Sequence, residues 1–214
     1  MSAPGASPAD AFAESNESAD TTSANNGDLD TAQSCATPPG IMILGRDEFQ
    51  AQTRSALAEL AAIPTGAALL ERIAATGKVC VITESLMGNK CGYKNVADAT
   101  VRPDGTPGPG SVTSVLFNPT LEKLGKEAWQ TRPPAIGLGH ELIHAMHGAE
   151  GTREDTATIA QNGSKADPND STRPQFVKKE ELATVGIPPH DKDPVTENAL
   201  RREWPTPQPQ RDVY

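Results

Sequence analysis

The second half of this 214-residue chain carries three residues spaced for metal chemistry. Residues 140–144 read His-Glu-Leu-Ile-His, so the two histidines are four positions apart and Glu141 follows the first. On a helix this spacing puts both imidazoles on one face, one turn apart, where they can bind a single zinc ion. Glu141 can then reach a water molecule on that ion without being a ligand, as a general base does. The pattern predicts a catalytic site with one zinc ion per chain.

The flanking sequence favours a helix for this motif. Pro133 and Pro134 precede it, as prolines often precede a helix start, and Gly148 and Gly151 are placed to end it. Aliphatic residues between these limits give the helix apolar faces. The alternative explanation is a core helix with two buried histidines that bind no metal.

A catalytic zinc ion needs a third protein ligand and an open position for water. The compact pattern His-Glu-x-x-His-x-x-Gly-x-x-His fails here, because His147 occupies the glycine position and Glu150 the position of the last histidine. Two alternatives remain from the residues alone. One is a carboxylate shortly downstream, Glu154 or Asp155. The other is the Glu180-Glu181 pair on a separate helix, of which only one can bind the ion because neighbouring helical side chains diverge by about 100°.

Hydrophobic periodicity and turn residues predict an α+β domain, in which a small sheet packs on the metal-binding helix. We expect helices over residues 46–63, 66–75, 121–129, 134–148, 177–185 and 196–203, with Thr65 as the N-cap of the second. Strands are expected at 79–82 and 111–117, and a weaker one at 93–97. Residues 163–174 have the composition of a loop. The strand at 111–117 is the one expected to pair with an extended peptide substrate.

Residues 1–40 differ in composition from the rest of the chain. They contain six acidic residues and no Lys or Arg, which leaves only −3 of the formal charge of −9 for the other 174 residues. Their large apolar residues are few, so this segment is expected to be disordered, and it has neither the basic nor the apolar region of a Sec-type signal peptide. We therefore divide the chain into an acidic N-terminal segment, 1–40, which is either an export segment or a solubilising tail, and a domain, 41–214, that carries the predicted zinc site.

The bulk composition excludes several partners. The chain has no basic stripe to bind nucleic acid and no apolar run close to the roughly 20 residues of a membrane span, so neither nucleic acid nor a membrane is expected as a partner. Cys35, Cys80 and Cys91 lack the Cys-x-x-Cys spacing of a thiolate metal site. Reduced thiols are expected, with a Cys80–Cys91 disulfide as the alternative. The protein is expected to be monomeric.

Two motifs together resemble a known group of enzymes. His140–His147 reads His-Glu-Leu-Ile-His-Ala-Met-His, and Glu180–Gly186 reads Glu-Glu-Leu-Ala-Thr-Val-Gly. This pair resembles the active-site motifs of clostridial neurotoxin light chains and, more closely, those of the short NleD-type zinc endopeptidases that bacteria inject by type III secretion. The segment Glu197–Arg201 also resembles a recurrent element of the injected enzymes. The resemblance covers about residues 63–214 and implies a zincin-like fold.

The resemblance also implies roles for individual residues. It makes His140, His144 and Glu180 the zinc ligands, with Glu181 supporting the site. Residues 211–214, Arg-Asp-Val-Tyr, match the Arg-x-x-Tyr spacing that faces the tetrahedral intermediate in the neurotoxin family, which implies catalytic roles for Arg211 and Tyr214 beside Glu141. His147 lies one turn beyond His144; a supporting or packing role is expected, with a fourth, structural ligand as the alternative.

The function implied is that of a secreted effector, a zinc endopeptidase that cleaves a host protein, such as a MAP kinase, in the host cytoplasm. Metal-activated water would hydrolyse the peptide bond. Two alternatives come from other classes: a zinc-bound effector that binds a host partner without cleaving it, and a zinc hydrolase of a non-peptide amide.

Overall fold

The computed structural model describes residues 36–159 and 176–212, which form an α+β domain with a small mixed sheet. The strands of the domain are β1 (Ile41–Leu44), β2 (Cys80–Glu84), β3 (Lys90–Tyr93), β4 (Thr113–Phe117), β5 (Ala157–Ile159) and β6 (Phe176–Lys178). Its helices are α1 (Asp47–Ala61), α2 (Pro64–Ala75), α3 (Val96–Ala99), α4 (Pro134–Glu150), α5 (Lys179–Val185) and α6 (Glu197–Glu203). The expected α+β class, with a small sheet packed on the His-Glu helix, is confirmed.

The main sheet has the strand order β1-β2-β4-β3. Strands β1, β2 and β4 are parallel, and β3 runs antiparallel to β4, with Cys91 opposite Val115. On β4 the side chains alternate between buried and exposed, so that Val115 and Phe117 face the core while Leu116 is exposed. Strand β3 is the last strand in this order, so it forms one edge of the sheet, and it packs beside α4.

Helix α4 lies at the centre of the domain. Fourteen of its 17 residues are buried, because the sheet covers one side while α1, α2 and α6 cover others. Small residues make this close packing possible: a Cβ atom on Gly139 would lie 2.6 Å from Leu200 of α6, and one on Gly148 would lie 2.3 Å from the ring of Tyr93. Gly151 ends the helix in the left-handed conformation, with φ of 74°.

Three local predictions were wrong. Residues 121–129 form an irregular loop that leads into a 3-10 turn at Ala128–Gln130, because the backbone N–H groups of Leu124 and Arg132 bond across the loop to the carbonyls of Gln130 and Glu122. Helix α2 begins at Pro64 with Ile63 as its N-cap, and Thr65 instead donates its hydroxyl and backbone N–H to Glu203. Strand β4 is interior rather than an edge, since β2 and β3 occupy both of its sides.

Other differences are smaller. Strand β1 was not predicted, and the weak strand expected at 93–97 lies earlier, at Lys90–Tyr93. The loop predicted at 163–174 lies outside the described residues. None of the helices in the described ranges has the length and apolar content needed to span a bilayer.

Candidate metal centre

Helices α4 and α5 bring two imidazoles and one carboxylate together. Oxygen Oε2 of Glu181 lies 3.3 Å from Nε2 of His144 and 3.7 Å from Nε2 of His140. One ligand atom from each of the three residues lies within 4.8 Å of the other two. Donors at ~2.0–2.2 Å from a tetrahedral zinc ion are about 3.4 Å apart. The three residues therefore fit a zinc ion, with Nε2 as the binding atom of each histidine.

The opposite edges of the two rings bond to carboxylates. Nδ1 of His140 donates to Glu197 at 2.8 Å, and Nδ1 of His144 donates to Glu180 at 2.9 Å. These bonds fix the tautomer in which the proton is on Nδ1, so each Nε2 presents its lone pair to the space shared with Glu181. Both histidines are buried, so their rings are also held by packing.

The two adjacent glutamates face different edges of the histidine rings. Glu180 faces the Nδ1 edges, where it accepts from His144 and, at 3.0 Å, from His147. Glu181 is the carboxylate grouped with the two Nε2 atoms. The reason is the helical turn of about 100° between neighbours, which allows only one of them to face the two Nε2 atoms. The group of possible ligands thus contains Glu181, whereas the resemblance implied Glu180, and which of the two binds an ion stays a prediction.

Glu180 is held as a carboxylate by its surroundings. Burial on its own raises the pKa of this group, but hydrogen bonds from His144 and His147 outweigh burial and lower the pKa to about 2. The Thr184 hydroxyl, one turn further along α5, lies 3.1 Å from Nδ1 of His144 and adds a second polar contact to this edge of the ring. His147 thus contacts Glu180 and is not among the residues grouped for metal binding.

Glu197 was given no role by the sequence analysis, and it is the most connected carboxylate of the site. It is fully buried on α6, and its Oε2 accepts from His140 and, at 3.0 Å, from Arg211. Its Oε1 accepts from Arg132 at 2.9 Å and from Arg201 at 2.7 and 2.8 Å. One sequence feature could have indicated this role: Glu197 and Arg201 are one helical turn apart, within a segment that resembles an element of the injected enzymes.

The charges around Glu197 act together. Burial on its own raises the pKa of its carboxyl, but the hydrogen bond with His140 and the charges of His140, Arg132 and Arg211 hold that pKa well below its usual range. Three guanidinium groups therefore bond to one buried carboxylate beside His140.

Arg211 approaches the centre through Glu197. Its guanidinium donates to the same oxygen that accepts from His140, and it stacks on the Trp129 ring at 4.4 Å from the ring centroid. Its backbone is fixed by the Asn198 side chain, which accepts from the Arg211 N–H at 2.8 Å and donates to its carbonyl at 2.7 Å. The end of the chain is thus docked on α6 as far as Arg211. Tyr214 lies outside the described residues.

A cavity of about 300 Å³ opens over the candidate ligands. Its wall includes Glu141 on α4 and, across the opening, Cys91 and Tyr93 on the edge strand β3. Glu141 is buried and lies beside the first histidine, so its carboxylate faces the space above the three donors without belonging to their set. Cys80 and Cys91 are both free thiols. The arrangement can hold a metal ion and a polar substrate group at one place.

Comparison with known proteins gives a family and several similar folds. The family model for peptidase M91, described as effector protein, matches residues 37–214. The light chain of Clostridium botulinum neurotoxin serotype F is 19% identical, with a TM-score of 0.45 over 64% of this chain and 44% of that one. The light chain of botulinum neurotoxin serotype HA is 18% identical, with a TM-score of 0.46 over 65% of this chain and 43% of that one. No curated protein gave a match.

This chain therefore spans less than half the length of those solved light chains. The match to the family model is much more extensive, since it runs from residue 37 to the last residue and includes every residue of the candidate metal centre. The expected resemblance to injected effector peptidases is confirmed at the level of the family. The chain belongs to the peptidase M91 family of effector proteins.

Proposed function

We propose that this effector peptidase is a zinc-dependent endopeptidase that hydrolyses a peptide bond in a host protein. One observation carries the proposal: Nε2 of His140, Nε2 of His144 and Oε2 of Glu181 converge below the cavity that Glu141 lines. Three protein donors with an accessible space beside them are what a catalytic zinc site requires.

The three donors would hold one zinc ion per chain. When bound, zinc supplies a Lewis acid that lowers the pKa of a water molecule to about 7 and polarises a carbonyl group. Glu141 accepts the proton that the attacking water loses and then delivers it to the nitrogen of the leaving amine. Burial of Glu141 keeps this transfer away from bulk solvent.

The surrounding carboxylates position the ligands. Glu197 and Glu180 accept from the Nδ1 atoms and so keep Nε2 of each histidine directed at the ion. Arg211 orients Glu197, and together with Tyr214 it is proposed to stabilise the negative charge that develops on the substrate carbonyl oxygen.

The substrate backbone is proposed to pair with strand β3. Within the described part of the chain, β3 pairs only with β4, so its outer N–H and C=O groups are available to an extended peptide. Cys91 and Tyr93 of this strand line the same cavity as Glu141, which supports the proposal that a paired peptide lies beside Glu141. Strand β3 replaces the interior strand β4 in this role.

The remaining parts of the proposal rest on family resemblance and composition. They are export of the protein through residues 1–40 by type III secretion, action in the host cytoplasm on a signalling protein such as a MAP kinase, and a monomeric state without nucleic acid or membrane partners.

The test is cleavage of host protein in a cell lysate, with new N-termini identified by mass spectrometry. The protein should generate a small set of new N-termini that are absent from the Glu141→Gln variant, while both proteins bind zinc equally. Equal sets would exclude endopeptidase activity. If host proteins were captured by both forms without cleavage, the protein would be a non-catalytic zinc-bound effector.

A further inference from the structure

Two large apolar side chains are exposed beside the cavity. Leu86 is 84% exposed and Met87 is 81% exposed, the highest values among the exposed large hydrophobic residues of the described chain. Both lie in the turn that connects β2 with β3, which we call the Leu86–Met87 turn (Ser85–Gly88). Asn89, Lys90 and Cys91, which follow immediately, line the cavity over the metal centre.

This turn is held in place by its own hydrogen bonds. The Ser85 hydroxyl donates to the Gly88 carbonyl at 2.8 Å and accepts from the Met87 N–H at 3.1 Å. The Asn118 side chain donates to the Met87 carbonyl at 2.8 Å. The backbone is therefore fixed while the two apolar side chains point away from the core. Two adjacent large apolar side chains exposed on a fixed turn are typical of a surface that binds a partner.

The direction of the sheet determines what passes over the turn. Antiparallel pairing is slightly more stable per residue than parallel pairing, so a peptide added to β3 is expected to run antiparallel to it. Such a peptide enters at the Tyr93 end and leaves at the Lys90 end, in the direction of the Leu86–Met87 turn. Residues on the C-terminal side of the cleaved bond then reach the turn.

We propose that the Leu86–Met87 turn binds a large apolar side chain of the substrate, located about three to five residues after the cleaved bond. Met87 is four positions before Cys91, which lines the cavity. An extended peptide advances about 3.4 Å per residue, so its continuation past the Lys90 end of β3 is expected to reach the turn within a few residues. The occupant is the continuation of the peptide paired with β3. This inference rests on the proposed endopeptidase function.

The experiment uses peptides from a trypsin digest of yeast protein as the substrate probe. The zinc-loaded protein, the double variant Leu86→Ser/Met87→Ser and the matched control Leu124→Ser are incubated with the peptides, and cleaved sequences are read by mass spectrometry. Leu124 is also an exposed apolar residue, 46% exposed, but it does not line the cavity. Melting temperatures of all three proteins should agree, because the replaced side chains are exposed.

The unchanged protein and the control should favour Leu, Ile, Met or Phe at one or two positions three to five residues after the cleaved bond. The double variant should lose this preference, and its kcat/KM for a preferred peptide should fall by about 10-fold or more, mainly through KM. Cleavage of a peptide that lacks the apolar residue should proceed at equal rates in all three proteins.

Cleavage without any such preference, or with the same preference in the double variant, would overturn the inference while leaving the proposed function intact. No cleavage beyond that of Glu141→Gln would instead refute the endopeptidase function itself.

Discussion

Replacement of Glu197 by glutamine tests whether this buried carboxylate holds the site together. The change keeps the size of the side chain and removes the negative charge shared by His140 and three arginines. Arg132 and Arg201 remain buried beside it, with side chains 6% and 0% exposed. Removing one partner of a buried ion pair costs about 3–5 kcal/mol, because the remaining charge stays desolvated.

Glutamine can still accept hydrogen bonds through its one oxygen, so we expect a loss near the lower limit, about 3 kcal/mol. The free energy of unfolding of such a domain is about 5–15 kcal/mol, so the variant should fold but be markedly less stable. In a domain of this size that loss lowers the melting temperature by roughly 6–12 °C. Zinc affinity should fall about 10- to 100-fold, as for other ligands that lose the carboxylate behind them.

The assay is urea unfolding of the metal-free proteins together with zinc titration against a competing chelator. Glu203→Gln is the matched control, since Glu203 lies on the same helix and accepts from Thr65 but is exposed. The control should lose about 1 kcal/mol or less and keep its zinc affinity. The buried cluster does not hold the site together if the free energy of unfolding of Glu197→Gln is within about 1 kcal/mol of that of the unchanged protein and its zinc affinity is within about threefold.

Three further predictions follow from the packing and charges of the site. Glu181→Gln should weaken zinc binding, measured by chelator competition, more than Glu180→Gln does; the opposite order would restore Glu180 as the ligand. Gly148→Ala should cost about 1–3 kcal/mol in urea unfolding, because the added methyl group meets Tyr93, whereas Gly88→Ala, where nothing lies within 4 Å, should cost little; equal losses would contradict the packing. In the metal-free protein the pKa of Glu180 is lowered to about 2. The carboxylate therefore contributes to the free energy of unfolding above its ordinary pKa of 4.5, and this contribution is lost as the pH falls towards 2. Unfolding at a series of pH values should show a fall of up to about 3 kcal/mol in this window that Glu180→Gln reduces, and an identical fall in that variant would exclude this source.

The sequence was sufficient for the features that depend on local spacing. The His-Glu-x-x-His helix, helices α1 and α2 and strand β4 followed from residue periodicity and from Pro and Gly at their ends. The expected helix at 121–129 is absent because backbone hydrogen bonds from Leu124 to Gln130 and from Arg132 to Glu122 close the segment into a loop, and apolar spacing does not reveal such bonds. Strand β1, of only four residues, carries too little pattern to be recognised without its partner β2.

The candidate site shows the same division. The spacing of His140 and His144 was enough to place both on one helix face, because that relation is local. The choice between Glu180 and Glu181 depends on how α5 is rotated against α4, and the role of Glu197 depends on a separation of 57 residues from His140. Neither relation leaves a periodic signal in the sequence. Charge clusters such as the three arginines around Glu197 become visible only when the helices are assembled.

The central claim is that zinc at this site and Glu141 together cleave peptide bonds. The most direct measurement is the rate of cleavage of a peptide found in the yeast digest, as zinc is added back to chelator-treated protein, for the unchanged chain and for Glu141→Gln. The unchanged protein should gain activity in proportion to zinc and reach a plateau at one ion per chain. Glu141→Gln should bind the same amount of zinc and remain inactive. Cleavage by the zinc-free protein, or full activity of Glu141→Gln, would contradict the account.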